Sequence, residues 1–448
     1  MSEAVTTRQQ ELAGKYRPYP EYKDSGVVWL GEMPSTWVLA KTARYFKIAM
    51  GQTILKEQLE DDGEWPVYSA TEGDHYFGRV NNPQVRLGCG DLVIPARGNS
   101  IGFVKLVKEQ VTTTQTTIYC KHLTQKIYPE YAYYFMVGQK KNLFWFTQTA
   151  IPQITVEEIG SNPILLLSFE EQRTIAAFLD YETARIDRLI TQQQRLIELL
   201  KEKRQAVISH TVIKGLNPNA VMKKSGIEWF GQVPEHWDAS QLKYIVKLGT
   251  SITYGIVQAG PHIEDGIPYI KTSDMSGTKL PLDGYSKTSP EIDASYSRSK
   301  VYSGDLVIAI RATVGKCHIV PDAINGANLT QGTAKISPSE KITSEFLHLL
   351  IMSSPVQLYF DANAKGATFR EITLEMLRRT PIVIPPLSEQ KLICEYINKT
   401  VSIYDRLISK CEFKISLLVE RRAALISAAV TGKIDLRGWT PSAEEAAA

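Results

Sequence analysis

Two segments 200 residues apart constrain this chain more than any other feature. Ser25–Trp37 reads SGVVWLGEMPSTW and Ser225–Trp237 reads SGIEWFGQVPEHW, and Ser, Gly, Trp, Gly, Pro and Trp recur at matching positions. Further anchors follow in the same order. GDLVI occurs at Gly90–Ile94 and at Gly304–Ile308, an offset of 214, with Arg97 matched by Arg311 just beyond. Thr114-Gln115 is matched by Thr330-Gln331 at 216. Ile154-Thr155, Pro163-Ile164, Glu171-Gln172 and Asp187 are matched at 218 by Ile372-Thr373, Pro381-Ile382, Glu389-Gln390 and Asp405. Ordered anchors of this kind mean that one structural unit is built twice.

The growth of the offset shows where the copies differ. It rises by 14 between the first and second anchors and by only four afterwards. The centres, Tyr45–Leu87 and Ile245–Tyr302, differ in length and barely resemble one another. The expectation is one scaffold duplicated around two unlike central parts, an arrangement that suits two different binding tasks.

Each copy has two parts. The first is rich in Gly, Pro, Thr and aromatics, with short β-like runs: DLVIPA, GFVKLV and TTIYC, then DLVIAI and CHIV. Turn signals NNP, RGNS and INGAN separate them. Helices are predicted at Pro129–Met136 and Ser344–Met352, giving a mixed α/β (α+β) domain. The second part begins after PILLLSFEEQ and PIVIPPLSEQ, where Gly and Pro vanish for about forty residues. Apolar residues then recur at spacings of three and four. They include Ile186, Leu189, Leu196, Leu200 and Val207 in the first copy, and Ile393, Ile397, Val401, Tyr404, Leu407 and Cys411 in the second. That is the single apolar stripe of a long helix. Ser168 and Ser388 suit N-caps, and Gly215 and Gly432 suit stops. A helix of that length spans roughly 60 Å, and its stripe needs a partner of similar length. The other copy's helix supplies one, as an antiparallel coiled-coil strut.

Bulk chemistry narrows the function classes. The 448 residues are enough for two to four domains. Net charge is +3, from 51 Lys+Arg against 48 Asp+Glu, too mild to identify a nucleic-acid binder by itself. Five cysteines without a CxxC argue against a disulfide framework or a zinc ribbon and fit the cytoplasm. The polar N-terminal segment has no apolar core of a signal sequence, and no apolar run reaches membrane-spanning length. Phosphate-loop, dinucleotide-loop and HExxH motifs are absent, and no two histidines sit at i,i+4. A metal-dependent nuclease needs clustered carboxylates with a nearby Lys, whereas Asp61-Asp62 and Glu170-Glu171 are adjacent pairs that suit a solvated loop and a helix start. These observations point to a non-catalytic chain without a bound cofactor or metal.

The PxxW segment at the start of each copy, the GDLVI strand, the Thr-Gln pair, and SEQ/EEQ followed by IDRLI at Ile186–Ile190 and YDRLI at Tyr404–Ile408 form a set. That set resembles the specificity (S) subunit of Type I restriction–modification enzymes over about residues 20–438. The first copy departs slightly, with SFEEQ where the second has PLSEQ. The resemblance implies an N-terminal lead-in at 1–24, target recognition domains at 25–167 and 215–387, helical spacers at 168–214 and 388–432, and a tail at 433–448. Each recognition domain would read one half of an asymmetric, bipartite site in double-stranded DNA. Two methyltransferase (M) subunits would bring S-adenosylmethionine and adenine-N6 methylation. Restriction (R) subunits would bring ATP- and Mg-dependent cleavage. A scaffold or adaptor without nucleic-acid binding is the rival reading that the near-neutral charge permits.

Lys and Arg are the expected phosphate ligands, and Arg, Asn, Gln, Ser, Thr and Asp can read base edges. In the first copy the candidates are Lys56, Arg97, Asn99, Thr114, Gln115 and Gln153. In the second they are Thr253, Tyr254, Lys271, Thr272, Ser273, Asp274, Arg311, Thr313, Gln331, Lys365 and Thr368. Several have structural alternatives. Arg97 and Arg311 could form ion pairs, Asp274 could close an Asx turn, Gln115 and Gln331 could bond a neighbouring strand, and Tyr254 could be core. The two indoles of each segment, Trp29 with Trp37 and Trp229 with Trp237, are expected to be buried against the base of each domain.

Overall fold

A computed structural model describes residues 16–71, 73, 75–98, 100–144, 153–366 and 370–441. The chain divides into two compact units. The first comprises the described residues up to Gln194 together with those from Glu412 onward, and the second comprises Arg195–Cys411. Each unit therefore contains part of both long helices. Among the described residues no helix is long and apolar enough to cross a membrane.

The first unit opens with a hairpin of β1 (Tyr22–Asp24) and β2 (Glu32–Pro34). The sequence SGVVWLG forms its turn. Ser25 Oγ accepts from Val27 N at 3.1 Å, and Gly26 and Gly31 take the left-handed backbone that glycine tolerates best. Strand β3 (Val38–Lys41) pairs antiparallel with β11 (Pro163–Leu166), which closes the domain on itself. A four-stranded sheet follows in the order β4 (Phe46–Met50), β10 (Thr117–His122), β7 (Leu92–Pro95), β8 (Lys105–Leu106). Beside it lies a three-stranded sheet, β6 (Gly78–Val80), β5 (Trp65–Tyr68), β9 (Thr112–Thr113), in which β5 and β9 are parallel.

The second unit repeats this plan strand for strand. Its hairpin is β12 (Met222–Lys224) with β13 (Gln232–Pro234), and its closing pair is β14 (Asp238–Gln241) with β22 (Pro381–Ile384). The four-stranded sheet runs β15 (Thr253–Tyr254), β21 (Thr333–Ile336), β18 (Leu306–Ala309), β19 (Cys317–Ile319). The three-stranded sheet runs β17 (Lys287–Thr288), β16 (Ile267–Ile270), β20 (Asn328–Leu329), again with its central strand parallel to the last. The centres, unlike in sequence and length, are thus alike in strand topology. WPVY in β5 and IPYI in β16 share no more than a proline, yet both are short, largely buried strands.

The first long helix covers Phe169–Lys214 and the second Leu387–Val430. Ser168 caps the first by accepting from Glu171 N at 3.2 Å. The second starts one residue ahead of Ser388, so that serine lies in the first turn and is not the N-cap. Gln390 N instead bonds the Pro386 carbonyl at 3.0 Å. Within each unit the two helix segments run antiparallel. In the first unit Asp187 meets Arg422 at 2.9 Å, and in the second Asp405 meets Arg204 at 3.0 Å. In the first unit the buried Ile175, Phe178, Leu179 and Ile186 share a core with Leu425, Ala429 and Val430. In the second, Ile208, Val212 and Ile213 share one with Ile393, Cys394 and Ile397. Of the predicted stripe, Leu196 and Leu407 are exposed.

The Glu-Gln pair at each helix start joins helix to domain. Glu171 accepts from the fully buried Trp37 indole at 3.1 Å and from the Tyr19 hydroxyl at 2.6 Å. Glu389 accepts from the Trp237 indole at 3.1 Å. Gln172 and Gln390 are completely buried. Each satisfies both ends of its amide on loop backbone: Gln172 on Tyr128 N and the Lys126 and Leu167 carbonyls, Gln390 on Thr343 N and the Lys341 and Pro385 carbonyls. A buried amide can be tolerated only when it is satisfied in this way. Trp29 and Trp229 are only half-buried, so Trp37 and Trp237 are the indoles that anchor each domain.

Candidate nucleic-acid interface

In each domain three backbone segments converge on the Thr-Gln turn that follows β9 or β20. The first contact is with the end of the central strand of the small sheet. Thr114 N donates to the Tyr68 carbonyl at 2.9 Å, and Thr330 N donates to that of Ile270 at 3.1 Å. The second is a parallel bridge, Gln52 to Thr114 and Ile256 to Thr330. The preceding glycine makes this approach possible. A Cβ at Gly51 would lie 2.2 Å from the Thr114 carbonyl oxygen, and one at Gly255 would lie 1.9 Å from that of Leu329. The third segment leaves β7 or β18. There Arg97 forms an antiparallel bridge with Gln153, and Arg311 forms one with Glu371.

In the second domain these segments enclose an open cleft of about 440 Å³. Lys271, Thr272, Ser273, Arg311 and Gln331 line it, as do Ile256, Val257, Tyr269 and Thr330. The structure therefore gathers five of the predicted residues, two of them cationic, into one cleft that apolar side chains also line. Arg311 Nε donates to Glu371 Oε2 at 3.0 Å, with both side chains half exposed. Lys271 Nζ bonds Ser286 Oγ at 2.8 Å. Asp274 turns inward and accepts from Lys271 N at 2.8 Å, fixing the short turn Thr272–Met275. Beneath that turn the buried His318 donates through Nε2 to the Met275 carbonyl at 3.2 Å. Burial holds the His318 imidazole below the ordinary histidine range. His348, which reaches the Cys317 carbonyl at 3.0 Å, is lowered for the same reason.

The first domain uses the same positions differently. Thr114 is buried, and its hydroxyl contacts Thr116 at 2.8 Å and Ser69 at 3.2 Å. Gln115 accepts from Ile54 N at 3.2 Å and so ties down the preceding loop. Among the described residues, no hydrogen bond engages the Gln331 side chain. Lys105, at the position of His318, is likewise buried and bonds Thr71 Oγ1 at 3.2 Å and the Gly73 carbonyl at 2.6 Å. Arg97 and Gln153 are both exposed. Lys56 lies on an exposed 3₁₀ turn, Lys56–Gln58. Asn99 and Thr368 lie outside the described residues.

Other predicted residues lie around the cleft without lining it. Thr253 and Tyr254 form β15, with Tyr254 exposed, not core. Thr313 is exposed in the turn after Arg311. Lys365 exchanges two backbone hydrogen bonds with Glu371, at 2.9 and 3.0 Å. Glu371 itself escaped the sequence reading, although its position is marked by the offset of 218 from Gln153. A larger cleft of about 620 Å³ beside Phe169 is lined by His122, Tyr128 and mostly apolar neighbours, without a Lys or Arg to meet a phosphate. Among the described residues no group of three or more His, Cys, Asp or Glu is placed to hold a metal ion.

Comparison with known proteins agrees with this organisation. The Type I restriction modification DNA specificity domain matches twice, over residues 34–199 and 234–411. The EcoBI specificity subunit of Escherichia coli is 27% identical over 291 residues, which cover 63% of this chain and 61% of that protein. The MjaVIII specificity subunit of Methanocaldococcus jannaschii is 24% identical over 421 residues, covering 90% of this chain and 94% of that one. A chain from a solved structure of the type I R-M system superposes with a TM-score of 0.67 at 15% identity, covering 89% of this chain and 98% of its own length. With both copies matched and the duplicated fold shared, the chain belongs to the Type I restriction modification DNA specificity domain family.

Proposed function

We propose that this chain is the DNA-reading specificity subunit of a Type I restriction–modification complex, and that each unit reads one half of an asymmetric, bipartite site. One observation carries the reading. Corresponding positions of a duplicated scaffold surround the Thr-Gln turn, yet they present different side chains: Arg97 with Gln153 in one unit, Arg311 with Glu371 in the other. A shared backbone with divergent polar groups at its rim suits two readers of different sequences. The first long helix is unbroken where the chain passes from one unit to the other, and the reading includes a gap of unread base pairs between the half-sites.

On this reading the chain performs no chemistry itself and works in the cytoplasm. Two methyltransferase subunits contribute S-adenosylmethionine and adenine-N6 methylation, and restriction subunits contribute ATP- and Mg-dependent cleavage. Comparing methylomes of cells with and without the gene tests it. One bipartite motif should lose its methylation on deletion; an unchanged methylome refutes the reading. Exchanging residues 1–166 for the corresponding part of another such protein should alter one half-site only. Association of the complex with duplex DNA should weaken steeply with salt, as counterion release requires. Salt-independent capture of a protein partner would favour an adaptor instead.

A further inference from the structure

Among the described residues, Arg97 has no ion-pair partner and Arg311 has one. Its Nε is held by Glu371 at 3.0 Å, while the corresponding position opposite Arg97 is the neutral Gln153. The residue after it, Ala312, takes a left-handed backbone (φ 60°), as Gly98 does in the first unit (φ 77°), and donates its N–H to the Arg370 carbonyl at 3.0 Å. Glu371 is itself fixed, because its backbone exchanges two hydrogen bonds with Lys365. The backbone geometry is otherwise shared. Ile372 N bonds the Ile310 carbonyl at 3.0 Å, and Ile154 N bonds the Ala96 carbonyl at 3.0 Å.

The chemistry of the guanidinium gives this constraint a use. Glu371 takes the Nε side and leaves Nη1 and Nη2 without a partner among the described residues. Those two nitrogens form the flat fork that matches O6 and N7 of guanine in the major groove. An arginine free to rotate can satisfy phosphates and several base edges; one clamped at Nε presents its fork in a single direction. We propose that Glu371 is a specificity-determining positioning residue of the second unit, holding Arg311 so that its terminal fork reads one guanine of the second half-site. The inference rests on the DNA-reading function proposed above.

The test uses the full chain with its methyltransferase partners and sequences the methylated sites of wild type, Glu371→Gln, Glu371→Asp, Arg311→Lys and Gln153→Glu. Wild type should methylate a bipartite motif with a guanine in the half read by the second unit. Glu371→Gln should relax that one position about 5- to 100-fold, leave the other half-site intact and melt near the wild-type temperature. Arg311→Lys should relax the same position, because an ammonium cannot make the bidentate contact. Glu371→Asp should restore part of the discrimination. Gln153→Glu should sharpen a position in the first half-site.

An unchanged motif in Glu371→Gln or in Arg311→Lys overturns the proposal. So does a uniform loss over all positions with a lowered melting temperature, which marks a structural role. A change in Glu371→Gln that Arg311→Lys does not share means that the carboxylate reads the base itself, and also overturns it. A wild-type complex that methylates no bipartite motif refutes the DNA-reading function as well, so the two failures are distinguishable.

Discussion

The Trp37 indole donates to Glu171 at 3.1 Å, and 200 residues later the Trp237 indole donates to Glu389 at 3.1 Å. The same bond is thus made twice between the start of a domain and the start of the helix that follows it. It explains why PxxW and the acidic residue before Gln recur together: each is the other's hydrogen-bond partner.

Replacing Trp37 by Phe should destabilise the protein by about 2 kcal/mol, because a fully buried site loses packing volume together with the bond to Glu171. Trp29→Phe, at a half-buried site, should cost less. Thermal denaturation of the full chain compares the two. The methylated motif should stay the same in both, since neither residue lies at the cleft; an altered motif at normal stability would mean that this end of the domain touches DNA.

Ala312 and Gly98 make opposite predictions. Ala312→Gly relieves a left-handed alanine and should raise stability by about 0.5–1 kcal/mol. Gly98→Ala meets no atom within 4 Å, so its cost of about 1 kcal/mol should come from φ alone. Denaturant titration of both variants reads the signs. A destabilising Ala312→Gly would show that the alanine methyl makes a contact worth more than the strain.

The two helix ion pairs should differ in strength. Arg422 binds Asp187 through Nε at 2.9 Å and Nη2 at 3.2 Å, a bidentate geometry. Arg204 approaches Asp405 at 3.0 Å but without the alignment of an N–H···O hydrogen bond, and its Nε is buried with no hydrogen-bond partner. Double-mutant cycles to Ala should give about 0.5–1 kcal/mol of coupling for Asp187–Arg422 and less for Arg204–Asp405. Equal couplings would mean that charge proximity alone decides, and added salt should then reduce both alike.

Stability should fall as the pH drops below about 6.5. His318 and His348 are held neutral by burial, so their folded pKa lies below the unfolded one. The unfolded chain then binds the proton first, and stability present above pH 6.5 is lost as the pH falls towards the folded values. His348→Gln, which keeps a donor for the Cys317 carbonyl, should flatten part of this slope between pH 7 and 5. An identical slope in that variant would assign the effect elsewhere, for instance to the half-buried His122 ring, which burial also lowers.

The long helices were legible because roughly forty residues without Gly or Pro carry an apolar period of three and four. The Thr-Gln pair was legible because repetition singled it out. The small three-stranded sheet was not, because short strands such as β5 and β16 need only be apolar and extended, so their sequences diverge without consequence for topology. Ser388 misled because a serine before Glu-Gln imitates a cap, while the helix already starts at Leu387. Glu371 was missed for a different reason. It differs from its counterpart Gln153, and a comparison that looks for identities passes over the positions where two readers must differ.

The first unit has a peculiar history during synthesis. Its core needs Leu425, Ala429 and Val430, yet its own sheets and the start of its helix are complete by Gln194. About two hundred residues must still be translated, which takes on the order of tens of seconds at cellular rates. Throughout that interval Phe178 can already meet Tyr16, but the part of the core that Leu425, Ala429 and Val430 supply is missing from the nascent chain. The earlier-made unit is therefore the later one to finish folding, and a ribosome stalled after Lys214 would release a product that looks like a whole domain but carries an open, aggregation-prone side.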